Sequence, residues 1–265
     1  MMSRHDFLSK FARRIERLSA YAQGKGYNSK TIRREVDSMF QLSTSPPQLA
    51  IDIGGNVGDY AAQLRLKSPR LEIHTFEPSA INVEKLEARF ADDPNIKIVP
   101  LAVSSVSGTS TLFSNRPGSK LGSLTKRRLD HFNVQFNVQE SVRTIRFEDY
   151  WMSELDERHV DLVKMDIEGH ELVALSGFGK ALRETSVLQF EFGGSNIDTR
   201  TYFQDFWYFF KSNNFALFRL TPFGVERIGR YRESDEFFSA TNYVAINRRS
   251  PPRAAVGTVA PQGAG

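Results

Sequence analysis

Residues 49–60, LAIDIGGNVGDY, decide the fold. Leu49 to Ile53 is a short apolar run carrying one acid, Asp52. It breaks into a turn with glycines at 54, 55 and 58, and a helix-like segment, AAQLRL, follows. Glycines at such a turn let backbone N–H groups approach a ligand that side chains would keep away. A strand–loop–helix unit of this kind holds an adenine-bearing cofactor at the carboxyl edge of a parallel sheet. The glycine order G-G-N-V-G is not the G-x-G-x-x-G of dinucleotide binders. Asp52 would repel a pyrophosphate and attract an amino group, so a cofactor with a cationic tail fits better.

The pattern continues outward from this turn. Apolar runs at 71–78 (LEIHTFEP), 96–103 (IKIVPLAV), 160–168 (VDLVKMDIE), 186–193 (SVLQFEFG), 215–222 and 241–248 read as strands. Helical segments at 59–67, 79–91, 148–155, from 168 to about 182, and 202–214 lie between them. Alternation of this kind predicts an α/β fold, a parallel sheet with helices on both faces. Residues 108–147 break the rhythm with short strand-like pieces around a polar loop at 114–130. Residues 3–42 read as two helices divided at GKGYN (24–28), with Phe7, Phe11, Ile15, Leu18 and Tyr21 on one face of the first. The simplest reading is a helical cap packed on the core; the other is an amphipathic arm facing a partner or a membrane. STSPPQ at 43–48 marks a boundary. The expected organisation is a basic helical extension over 1–47, a cofactor-binding domain over 48–248, and a disordered tail over 249–265.

Composition bounds the function. A chain of 265 residues buries one sizeable core. With no apolar run of ~18 residues, no membrane span is expected, and the N-terminus lacks the apolar core of a secretory signal. The absence of cysteine excludes disulfides and thiolate metal sites and suits a cytoplasmic location. Residues 1–47 carry nine Lys/Arg against four Asp/Glu, and 248–265 three Arg and no acid. The body between them is therefore net acidic although the whole chain is +4. A basic stripe across the folded domain, the mark of nucleic-acid binding, is not expected.

Ligands of such sheets bind beyond the carboxyl ends of the strands. Those ends carry Asp52 and the glycine turn, Glu77-Pro78, Ala102-Val103-Ser104, the run Lys164 to Glu171, and Glu191. Glu77 closes the second strand, where a carboxylate can accept both hydroxyls of a ribose or instead cap the next helix.

DIGGNVG, FEPS, KMDIEGHE and the apolar-flanked Glu191, in that order, resemble the FkbM family of S-adenosylmethionine-dependent methyltransferases over roughly residues 48–247. Gly55 departs from the family, which often has alanine there. The resemblance implies a class I, Rossmann-like seven-stranded sheet whose last strand inserts antiparallel, and O-methyl transfer, frequently onto sugars or polyketide-type hydroxyls. It implies that Asp52, Gly54 and Gly58, with Asn56 in the same turn, line the methionine moiety. Glu77 and Pro78 would meet the ribose, and Ala102 and Val103 the adenine. Ser123, in the loop SKLGSL, is a candidate near cofactor and acceptor, and Lys164 and Asp166 complete the set.

Methyl transfer requires an acceptor oxygen held near the methyl, removal of its proton, and exclusion of water. Lys164, Asp166 and Glu168 alternate, so they share a face if the strand runs to its end. Asp166, Glu168 and His170 are the candidate catalytic bases, His170 for its titration near neutral pH. Glu168 or Glu171 could instead satisfy a helix start, and Lys164 could pair with an acid. Asp166 and Glu191 leave a divalent metal such as Mg²⁺ open, but no spacing fixes a ligand set and it is not favoured. Lys126, Arg127 and Arg128 read as a solvated loop rather than as an anion-steering site. The expected function is O-methylation of a small-molecule or glycan hydroxyl, with no nucleic-acid partner. RNA or nucleotide methylation and a non-catalytic cofactor-binding protein are the alternatives, and the oligomeric state is open.

Overall fold

The computed structural model describes residues 4–27 and 32–249. Two helices, α1 (Arg4–Ala22) and α2 (Ile32–Leu42), precede the sheet. Then come β1 (Leu49–Ile53), α3 (Asp59–Lys67), β2 (Glu72–Phe76), α4 (Ala80–Arg89) and β3 (Ile96–Val99). An inserted unit follows: β4 (Ala102–Ser104), β5 (Gly108–Ser114) and β6 (Val138–Arg146). The chain returns through α5 (Phe147–Glu154), β7 (Val160–Met165), α6 (Glu171–Ser176), β8 (Thr185–Phe192), α7 (Ser195–Thr199) and α8 (Phe203–Ser212). It closes with β9 (Phe215–Thr221), β10 (Gly224–Ile228) and β11 (Thr241–Asn247).

The main sheet runs β10-β9-β11-β8-β7-β1-β2-β3. The five strands from β8 to β3 pair in parallel, and β11 inserts antiparallel between β8 and β9. This is the expected doubly wound α/β arrangement with an antiparallel last strand. An eighth strand, β10, joins the expected seven as an edge paired with β9, because Thr221 to Gly224 make a tight turn. It is polar and short, which hid it in the sequence.

Two other expectations give way to local chemistry. The strand read over 96–103 is two strands in different sheets. Pro100 has no N–H to donate, and Leu101 N turns back to Val99 O at 2.8 Å, so the ladder stops and the chain crosses to β4. The strand read over 160–168 ends at Met165. Glu168 and Gly169 have φ of 54° and 95°, left-handed values that no strand accommodates, so Lys164, Asp166 and Glu168 do not share one pleated face.

The aromatic segment 203–210 is a core face: Phe203, Phe206 and Phe210 are fully buried against Phe190, Phe192 and Tyr243. The two N-terminal helices part company. Helix α2 buries Val36 and Met39 in the cluster of Ala50, Tyr60, Ile73 and Val187, so it is a cap on the sheet. Helix α1 is not: Leu8, Phe11, Ile15, Leu18 and Tyr21 are all exposed. Apart from Arg249, the expected tail lies outside the described residues, as do residues 28–31 between the helices.

Candidate functional site

The glycine turn is fastened to the end of β2. Gly54 N and Gly55 N both donate to Phe76 O at 2.9 Å. Gly54 has φ +86°, and a Cβ there would lie 2.0 Å from Asp166 O, so the β1 and β7 loops touch backbone to backbone. Asn56 N donates to Glu77 Oε2 at 2.8 Å. Gly58 has another role: a Cβ would meet Phe90 Cε2 at 2.5 Å and Leu86 at 2.9 Å, so this glycine seats α3 against α4 and does not line the cavity.

Asp52 is also set back. It is wholly buried beneath the turn and borders neither cavity described below. Lys164 Nζ lies 3.4 Å from its Oδ1, donates to Gly54 O at 3.1 Å, and reaches within 3.8 Å of Asp166 Oδ2. Burial pushes the Asp52 carboxyl up against the pull of Lys164. Burial works to discharge Lys164 too, but Asp52, Asp166 and Glu35 outweigh it and hold the ammonium above the usual lysine range. The internal pairing weighed for Lys164 is thus realised, and the pair braces the turn from behind.

Two cavities meet above this brace. The first, of about 580 Å³, has Glu77, Pro78, Ala102, Val103, Ser123, Glu168 and His170 around apolar walls of Phe76, Leu101, Leu112, Leu124 and Ile167. The second, of about 790 Å³, is bordered by Ile32, Glu35, Asp59, Tyr60 and Lys164. Gly54, Asn56, Lys120 and Asp166 border both.

Glu77 holds the edge of the first cavity. Oε1 accepts from Ser79 N at 3.0 Å and from Asn82 Nδ2 at 3.4 Å, while Oε2 accepts from Asn56 N. The helix-capping alternative is therefore real, and it is Oε2, with one donor in place, that keeps acceptor capacity for a further partner. Burial is the main influence on this carboxyl and pushes it up; the backbone donors pull the other way.

Asp166 stands at the junction of the cavities with its side chain 43 % exposed. Glu168 lies on the first cavity's rim, ion-paired with Arg127 Nη1. Burial and then the Asp166 charge push its carboxyl up to about 8, against the opposing pull of Arg127. Ser123 Oγ donates to Glu168 O at 2.9 Å, and Arg127 Nε also reaches Asp198 Oδ2 at 3.4 Å. Arg127 is thus no solvated loop residue: it bolts the 114–130 loop to the β7 loop and α7, while Lys126 and Arg128 remain exposed. His170 Nε2 lies 2.9 Å from Ser104 Oγ, and burial drops its pKa to about 4. It is therefore an uncharged imidazole at neutral pH, with Nε2 engaged by the Ser104 hydroxyl. Glu171, the helix-start acid, accepts from Ile167 N and Gly169 N at 2.9 and 3.2 Å.

The arrangement suits the donor its sequence pattern implies. The first cavity offers an apolar slot with a carboxylate at its edge, matching an adenosine. Asn56 Oδ1, between the cavities, is buried with no hydrogen-bond partner, so a donor group on a ligand crossing there would satisfy it. Among the described residues no three of His, Asp and Glu converge as metal ligands. Glu35 and Tyr60 border the second cavity and Lys120 borders both, and none of the three is among the candidates read from the sequence. Glu35 accepts from Gln189 Nε2 at 2.6 Å, and Tyr60 donates to Gln189 Oε1 at 2.9 Å, contacts that span 154 and 129 residues and leave no local signal.

Residues 52–217, well over half the chain, match the Methyltransferase FkbM domain. The chain is 25% identical over 193 residues to the 2-O-methyltransferase NoeI of Sinorhizobium fredii, covering 69% of this chain and 78% of that protein. Among solved structures, an rRNA methylase from Streptococcus thermophilus aligns with TM-score 0.45 and 11% identity, over 83% of this chain and 97% of that one. An S-adenosylmethionine-dependent O-methyltransferase from Thermotoga maritima aligns with TM-score 0.43 and 10% identity, over 82% and 65%. The match over residues 52–217, which span the glycine turn, Glu77 and KMDIEGHE, makes this chain a member of the FkbM family of S-adenosylmethionine-dependent methyltransferases.

Proposed function

We propose that this protein methylates a hydroxyl oxygen of a small molecule or glycan, with Asp166 as the proton acceptor. The carrying observation is the position of Asp166: it borders both cavities and is partly open, whereas Glu168 is tied to Arg127 and His170 to Ser104. When bound, S-adenosylmethionine supplies an electrophilic methyl group. In this reading Glu77, Pro78, Ala102 and Val103 hold its nucleoside, and Gly54 and Asn56 admit it to the junction. Asp52 and Lys164 act as positioning residues by fixing the turn. The acceptor enters through the second cavity, whose mixture of carboxylates, a lysine and a tyrosine hydroxyl suits a hydroxyl-rich molecule. Asp166 takes the hydroxyl proton as the oxygen attacks. The 2-O-methyltransferase named among the relatives supports transfer to oxygen.

The test is a mass-spectrometric screen of sugars, oligosaccharides, secondary metabolites and nucleosides for a gain of one methyl group. Asp166→Asn is then expected to lower kcat by ~10²–10⁴-fold while changing cofactor affinity only severalfold. Methylation confined to nucleosides, or an Asp166→Asn protein with unimpaired kcat, would overturn this reading.

A further inference from the structure

Helix α1 presents two separate stripes. Leu8, Phe11, Ile15 and Leu18 recur at three- and four-residue steps, which sets them on one side of an α-helix. With Tyr21 they are between 50 and 66 % exposed. Lys10, Arg13 and Arg17, at the same spacing, line the other side, with Arg14 between the stripes. The helix carries five Lys/Arg against two acids. Its C-terminal end is fastened to the domain. Gln23 O accepts from Arg219 Nη1 at 3.3 Å, Lys25 Nζ donates to Ser234 O at 2.7 Å, and Gly26 N donates to Thr241 Oγ1 at 2.9 Å. Beyond that attachment the 19-residue rod, ~28 Å long, leaves its apolar side uncovered.

Charge selects the occupant. Pairing with a second copy of the same helix would bring two net-positive rods together, with no acidic flank to complement them. A negatively charged surface that also accepts apolar side chains satisfies both stripes at once. Lying flat at the boundary of an anionic bilayer does this, with the aromatic and aliphatic residues among the acyl chains and the arginines level with the headgroups. No helix among the described residues is long and apolar enough to cross a membrane. We propose that α1 docks this protein on an anionic lipid surface.

The test is sedimentation of the full chain with vesicles of pure phosphatidylcholine and of phosphatidylcholine with about a third phosphatidylglycerol. Retention on the anionic vesicles is expected to exceed that on neutral ones by at least about tenfold, since each basic residue near such a surface multiplies affinity severalfold. High salt should weaken it. Phe11→Glu/Leu18→Glu should bring retention to background with an unchanged melting temperature, because both side chains are exposed. Arg13→Glu/Arg17→Glu should do the same and is a second route should the first variant misfold. Absence of retention on either vesicle, or equal retention on both, overturns the proposal. So does a dimer in light scattering that Phe11→Glu/Leu18→Glu dissolves while vesicles retain nothing.

Discussion

Gly55 has no room for the alanine that the family resemblance implies at this position, and the obstacle is one methyl group. Its φ is outside the left-handed region, so alanine meets no backbone strain there. The obstacle is Thr75: a Cβ on Gly55 would lie 2.1 Å from Thr75 Cγ2, while its other neighbours are at ordinary contact distance. Thr75 is fully buried in β2, between β1 and β3, and its branched side chain has little rotamer freedom. Relieving that contact requires a displacement of more than 1 Å. Overpacking of this kind costs about 1–3 kcal/mol, reduced by the ~0.4–1 kcal/mol that Gly→Ala contributes by restricting the unfolded chain. Thr75→Ala alone should cost little, ~1 kcal/mol for the lost methyl contacts, because Thr75 Oγ1 is buried without a partner. With Thr75→Ala in place, Gly55→Ala finds room and should become neutral or stabilising. The two changes are therefore predicted to couple by ~1–3 kcal/mol. Urea unfolding of the four proteins measures this directly, and calorimetry with S-adenosylmethionine follows the turn itself: weakened binding in Gly55→Ala, recovered in the double variant. Additive free energies, or a Gly55→Ala protein as stable as the parent, would refute the packing explanation.

Glu77→Ala removes the acceptor shared by Asn56 N, Ser79 N and Asn82 Nδ2. It should raise the S-adenosylmethionine Kd by at least ~10-fold, or ~1.4 kcal/mol, as read by calorimetry. Arg127→Ala strips the half-buried Glu168 and Asp198 carboxylates of their shared partner, at a cost of ~1–3 kcal/mol. The 114–130 loop should then be cut faster by proteases. The Glu168 and Glu171 carboxyls sit above their unfolded values, at about 8 and about 7. Between pH ~4.5 and ~8 the folded state therefore holds protons that the unfolded chain has released, and stability should fall as pH rises through that window. Thermal melts across that range test the sign, and Glu168→Gln should flatten part of the slope. In assays of turnover, kcat/KM should rise toward pH 8 as Glu168 ionises and its pairing with Arg127 strengthens, a rise that Glu168→Gln should abolish.

Much of this protein is legible in its one-dimensional pattern. The α/β alternation, the glycine turn and the placing of Glu77, Ala102 and Asp166 at strand ends that border a cavity follow from local propensity and periodicity, which depend only on neighbours in the chain, whereas the antiparallel closing strand is implied only by the family resemblance. What the fold alone decided are matters of depth and of distant pairing. Asp52 and Gly58 look identical in sequence to ligand-facing residues, yet they face inward to Lys164 and Phe90, which lie 112 and 32 positions away. Arg127 reads as one of three loop cations until Glu168 and Asp198 are folded against it. His170 has the residue type of a base that titrates near neutral pH, but burial moves its titration well below that range. Helix α2 and its Glu35 join the site only because Gln189 is brought beneath them. Burial and the pairing of charges are properties of three-dimensional surroundings, and no spacing along the chain encodes them.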